Sequence, residues 1–87
     1  MSYELHMKLR NMDGALERVL GVVRYRGFSL MGLQAEPERD GARLDVSMTV
    51  TGEKRATNLP KQIGKLFDVE MVEMINQVTT VQHVRIG

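Results

Sequence analysis

Eighty-seven residues leave room for one small domain, which buries proportionally less of its surface than a large one and gains from association with a partner. Hydrophobic residues at 43% and charged residues at 26% argue against disorder, while twelve Lys and Arg against eleven Asp and Glu give a net charge of +1, too balanced for the footprint of a nucleic-acid binder. The absence of cysteine removes disulfides, thiolate chemistry and cysteine-type zinc sites and favours a cytosolic location, and no stretch reaches the apolar length of a signal peptide or a membrane span.

In chain order, Tyr3, Leu5, Met7 and Leu9 alternate with Glu4, His6, Lys8 and Arg10, the period of a strand with one buried face. From Ala15 the spacing becomes helical: Leu16, Val19, Leu20 and Val23 share a stripe, and Gly27 supplies the stop. The segment "FSLMGLQAE" reads as a second strand with apolar groups on both faces, Phe28 and Leu30 on one, Met31 and Leu33 on the other. Pro37 and the pair Asp40-Gly41 mark a hairpin connection. Residues 43–50 alternate cleanly as a third strand, with Leu44, Val46, Met48 and Val50 on its apolar side.

After Gly52, the residues Ala56, Leu59, Ile63, Leu66 and Phe67 suit a second helical stripe, whose start Pro60 places near Asn58. "DVEMVEMIN" is a fourth strand whose uneven phase suggests a bulge. The order βαββαβ is the ferredoxin-like plan, an α+β fold with an antiparallel sheet and two helices on one face. Right-handed crossovers that each skip a strand put the first and third strands in the middle and the second and fourth at the edges. An apolar second strand at an edge is a liability unless another chain covers it, so a homodimer through that strand is expected.

Catalytic chemistry is hard to assemble from these residues. His6 and His83 are far apart in sequence, and Asp45, Glu70 and Glu73 fall on outward strand positions, the wet side of a sheet. One glycine in "NMDGALERV" makes no phosphate cradle, and Tyr3, the one aromatic residue on the central strands, belongs to the apolar row, which argues against RNA binding. Arg18, Arg24 and Arg26 read as a solvated helix face. The turn itself admits two readings. In one, Asp13 caps the helix by accepting from the amides of Ala15 and Leu16, and Asn11 is a turn residue. In the other, the same amides hold a small carboxylate, Gly14 admits it closely, and Asn11 offers a donor and an acceptor. Gly14→Asp is expected to block such a ligand without unfolding the chain, provided that the Gly14 backbone angles are ordinary.

"NMDGALERVLGVVRYRGFSL" resembles the start of an ACT domain, and in particular the small regulatory subunits of acetohydroxyacid (acetolactate) synthase, through Asn11, Gly14, Ala15, Leu16, Arg26, Gly27 and Phe28. "KLFDVEMVE" is similar to the family's Lys-Leu-x-Asp-Val segment before the last strand. The resemblance implies an ACT domain over residues 1–76 with a C-terminal tail over 77–87. It implies a chain without catalytic residues or cofactor of its own, which binds and activates a large catalytic subunit using thiamine diphosphate, magnesium and FAD in branched-chain amino-acid synthesis. It further implies an effector site for valine or another branched-chain amino acid between paired chains. Asn11, Asp13, Gly14, Ala15 and Leu16 would form one wall, and Ser29 and Leu30 of the neighbour the other. Many valine-responsive members carry asparagine at the position of Ser29 and a second domain, so this sequence is closer to the short isozyme II type, some of which do not respond to valine. The alternative is a free-standing ACT module that senses an amino acid for an unrelated enzyme. An acylphosphatase-like enzyme on the same plan is disfavoured because its phosphate loop is missing.

Overall fold

Apolar side chains at every second position of β1 (Ser2–Arg10) all enter the core, as a period of two requires: Tyr3, Leu5, Met7 and Leu9 are buried. A computed structural model describes residues 1–53, 55, 56 and 58–78, with side chains up to residue 75, so His83 and the tail from 79 onward lie outside the described residues. The elements after β1 are α1 (Ala15–Tyr25), β2 (Ser29–Pro37), β3 (Arg43–Thr51), α2 (Leu59–Gly64) and β4 (Val69–Val78). The sheet order is β2-β3-β1-β4 with every neighbouring pair antiparallel, so the two cleanly alternating strands are central, as the crossover argument requires.

Both helices feed one core on one face of this sheet. Ala15, Val19 and Val23 of α1 and Leu59 and Ile63 of α2 join the inward rows of β1 and β3, with Leu16 and Leu20 packed at the margin. Helix α1 ends at a glycine in the left-handed conformation: Gly27 has φ 89°, its amide donates to the Arg24 carbonyl, and the Phe28 amide donates to the Val23 carbonyl. Those two bonds are the Schellman pattern, and they turn Phe28 back into the core against Tyr3, ring centroids 6.3 Å apart and edge to face. The Asp40-Gly41 hairpin forms as its sequence indicates, with Gly41 at φ 73° and the Asp40 carboxylate accepting from the Ala42 amide at 3.0 Å.

Two expectations are corrected. Met31 is an extra residue in β2, because Leu30 pairs with Val50 and Gly32 with Thr49. The bulge shifts the phase, so Leu33 stands opposite the inward Met48 and shares the helix side of the sheet with Leu30, not the opposite side with Met31. The second helix is also shorter than its apolar stripe: it begins after Asn58 with Pro60 in its first turn, ends at Gly64, and leaves Phe67 in solvent. The uneven phase of β4 does correspond to register shifts, which make Glu70 and Ile75 unpaired residues opposite β1.

Gly52, just past β3, is the described glycine with the least room for a side chain. A Cβ there would sit 2.6 Å from Cδ1 of Phe28 and 3.3 Å from the Gly27 carbonyl oxygen. Gly52→Ala is therefore expected to destabilise the chain by about 1–3 kcal/mol, through displacement of a buried ring. Urea denaturation should show a lower midpoint at unchanged slope; a midpoint equal to wild type would mean that the ring moves aside freely.

Candidate functional site

The end of β1 carries the residues that the sequence singles out. The Asn11 amide donates to the Ala42 carbonyl at 3.0 Å and its side-chain Nδ2 donates to the Gly41 carbonyl at 2.9 Å, so Asn11 ties the turn to the β2-β3 hairpin. Its Oδ1 and the second hydrogen of Nδ2 have no partner among the described residues. Asp13 is exposed and does not cap α1: Gly14 holds the N-cap position and no side chain bonds the first turn. The Ala15 amide donates to the Met12 carbonyl, while the amides of Leu16 and Glu17 have no acceptor among the described residues. A helix start in this state suits an anion by its free donors and by the helix dipole.

Gly14 lies at φ 80°, a left-handed conformation that side chains adopt at a cost, and a Cβ there would stand 2.8 Å from Nη1 of Arg18. Its angles are not ordinary, so the expectation that Gly14→Asp leaves folding untouched is corrected: the replacement strains the backbone by about 1–3 kcal/mol. Arg18 is exposed, as a solvated helix face implies, but its guanidinium is also bonded on two sides. From one turn inside α1 its Nη2 donates back to the Asp13 carbonyl at 3.0 Å, and its Nε donates to Oδ2 of Asp68 at 2.6 Å. Asp68, only 3% exposed, is the acid of "KLFDV". A buried carboxylate requires a partner, and that requirement was the available signal for Arg18. The pair locks the start of α1 to the turn before β4.

Ser29 and Leu30 sit elsewhere. Ser29 stands opposite Thr51 and Arg10 opposite Arg43, at the two ends of nine-residue strands, which separates Ser29 from the Asn11 turn by about 26 Å at 3.3 Å per residue. One chain therefore gathers Asn11, Asp13, Gly14, Ala15 and Leu16 but not Ser29 and Leu30. Ala15 is buried, Leu16 and Leu30 are half-buried, and Ser29 is exposed. The outer edge of β2, unpaired among the described residues, is apolar in parts, with Met31 at 65% and Leu33 at 41% exposure.

The face of the sheet away from the helices is a ladder of charges. His6 Nε2 lies 2.5 Å from Oδ1 of Asp45 and its Nδ1 lies 3.8 Å from Oε2 of Glu73. Lys8 donates to Glu38 at 2.7 Å, and this hydrogen bond holds its ammonium above the usual lysine range. Arg10 and Arg43 stand directly opposite each other, with the bulged Glu70 between them: Arg43 Nε donates to Oε1 at 2.5 Å, and Arg10 Nε lies 3.5 Å from Oε2. The hydrogen bond from Arg43, with the added field of Arg10, holds the Glu70 carboxyl below the usual carboxylate range, and the same hydrogen bond to Glu70 raises Arg43. Asp45 and Glu73 are thus turned toward His6 and Glu70 toward two arginines, and among the described residues no group of acidic and histidine side chains could hold a metal ion.

Comparison with known proteins places this geometry. Residues 11–72 match the profile of the ACT domain. The acetolactate synthase isozyme 2 small subunit of Escherichia coli strain K12 is 32% identical over 85 residues, covering 98% of each chain. The isozyme 3 small subunit of the same strain is 36% identical over 75 residues, 84% of this chain and 45% of that one. The acetolactate synthase small subunit of Thermotoga maritima, 20% identical, superposes with a TM-score of 0.76 over 90% of this chain and 49% of that structure, a likeness of fold. With a domain match over most of its length and a relative aligned nearly end to end, the chain belongs to the ACT domain family and, within it, to the small regulatory subunits of acetolactate synthase.

Proposed function

We propose that this chain acts as a homodimer that seats on a large catalytic subunit of acetolactate synthase in the cytosol, raises its activity, and holds a branched-chain amino acid such as valine between its two copies. The partner, in this reading, carries thiamine diphosphate, magnesium and FAD and performs the condensation of 2-oxo acids. The observation that carries the subunit role is the match over 98% of both chains to an isozyme 2 small subunit. Adding this chain to its cognate large subunit at saturating cofactors is expected to raise synthase activity severalfold, by association of a marginal domain with its partner. No rise would sink the role and leave a free-standing amino-acid sensor.

The dimer follows from the β2 edge. Two copies paired antiparallel along β2 have their two-fold axis near Leu33, the middle of Ser29–Pro37, and bury Leu33 where one chain leaves it exposed. The chain is expected to sediment as a dimer at micromolar concentration. Leu33→Lys should shift it to monomer, and an unchanged dimer in that variant would move the contact off β2.

The same pairing supports the effector site, because it lays Ser29 of one copy beside the Pro37 end of the other, where the Asn11 turn is tied through Gly41 and Ala42. The walls that stand about 26 Å apart in one chain then face each other across the axis. The amides of Leu16 and Glu17 would take the carboxylate and Asn11 Oδ1 the ammonium. Calorimetric titration of the dimer with valine, leucine and isoleucine should give binding that Gly14→Asp abolishes. Since that variant is also strained, Ser29→Asn supplies the second arm: on an exposed edge it leaves folding unchanged and should tighten binding by adding a polar group. If wild type and Ser29→Asn both bind nothing, the 11–16 turn is structural and the chain is an activator without feedback.

A further inference from the structure

The turn between α2 and β4 displays a phenyl ring that the fold does not use. Phe67 is 73% exposed, yet the backbone that carries it is fixed from several sides. The Arg10 amide donates to the Asp68 carbonyl at 2.7 Å, Arg10 Nη1 donates to the Phe67 carbonyl at 2.5 Å, and the Val69 amide donates to the Leu66 carbonyl at 3.1 Å. The Asp68 side chain is held in turn by Arg18. The Arg10 guanidinium also lies over the ring, 4.7 Å from its centroid, and so steadies it in the solvent. Met12, itself exposed, follows Arg10 by two residues on the adjoining turn at the same end of the sheet. By contrast Tyr25, 84% exposed, stands on the last residue of α1 with the neighbouring Arg26 5.7 Å from its ring, as a helix end in water would.

We propose that Phe67, at the end of the sheet that also exposes Met12, is the anchor by which this chain docks on the large catalytic subunit, whose complementary surface is an apolar socket with an acidic rim. The proposal rests on the small-subunit role argued above. Three observations favour that occupant over a second copy of this chain. The turn leads into β4, the edge strand opposite β2 in the order β2-β3-β1-β4, so a dimer paired through β2 points both Phe67 rings outward and leaves them free. Around the turn the cations Arg10, Arg18, Arg43 and Lys65 outnumber the acids Asp13, Asp68 and Glu70, so after the ion pairs with Asp68 and Glu70 the rim keeps a net positive charge that suits acidic groups. An aromatic ring held in place by an arginine loses little freedom on burial, the property of an interface anchor.

The test uses the full chain with its cognate catalytic subunit. Phe67→Ala changes an exposed side chain and should leave folding and sedimentation as in wild type. It is expected to raise the concentration that gives half-maximal activation by about thirtyfold, the loss typical of an anchor residue, with the same maximum reached at saturation. Tyr25→Ala, at the other exposed aromatic, should activate as wild type does. Half-activation by Phe67→Ala at the wild-type concentration would overturn the proposal, and so would conversion of the wild-type dimer to monomer by that variant, which would make the second copy the occupant. Failure of wild type itself to activate would instead remove the subunit role, a result read before any variant is made.

Discussion

Two helices, one of eleven residues and one of six, have to cover one face of a four-stranded sheet whose strands are nine or ten residues long. They cover the centre and run out at the margins. Over β1 and β3 the inward rows are buried except for the half-buried Leu44, while past Leu30 the same side of β2 is uncovered by any described residue, and Leu33, Ala35 and Pro37 are exposed there. Two of the surfaces with functional interest are consequences of this shortage, an edge strand with apolar groups and a turn beyond a short α2, while the free amides at the start of α1 come from its uncapped Gly14. A larger domain would have buried them with its own chain.

The central part of this arrangement is legible in the sequence because it depends on period alone. Alternation in residues 3–9 and 43–50, the helical stripe from Ala15 and the glycine stops at Gly27 and Gly41 each state their structure locally, and the strand order then follows from chain handedness. The edges are less legible for an equally physical reason. A bulge inserts one residue without changing composition, so Met31 and Leu33 read as opposite faces although the bulge puts Leu33 with Leu30. The stripe that seemed to carry α2 on to Phe67 is broken by the turn after Gly64, where hydrogen bonds to Arg10 outweigh helical spacing.

Of the 11–16 turn, the sequence conveys which residues adjoin and not how they are bonded. Asn11, Gly14 and Leu16 come together as the motif suggests, but Asp13 caps nothing, because the left-handed Gly14 takes the N-cap position and no side chain bonds the first turn. Arg18 was invisible for the opposite reason. Its partner Asp68 lies fifty residues away, and only burial turns that acid from a solvated residue into a demand for a cation. The separation of Ser29 from the turn is likewise a matter of sheet register, which spacing along the chain does not record.

The triad of Arg10, Arg43 and Glu70 restricts the order in which these positions can change during evolution. With Glu70 lost first, two guanidinium groups face each other across neighbouring strands with no anion between them, an arrangement that opposes pairing. With either arginine lost first, Glu70 keeps one cation and the sheet keeps its register. Replacement of Glu70 by a neutral residue is therefore favoured after one arginine has gone, and a lineage that retains both arginines gains by retaining the acid as well.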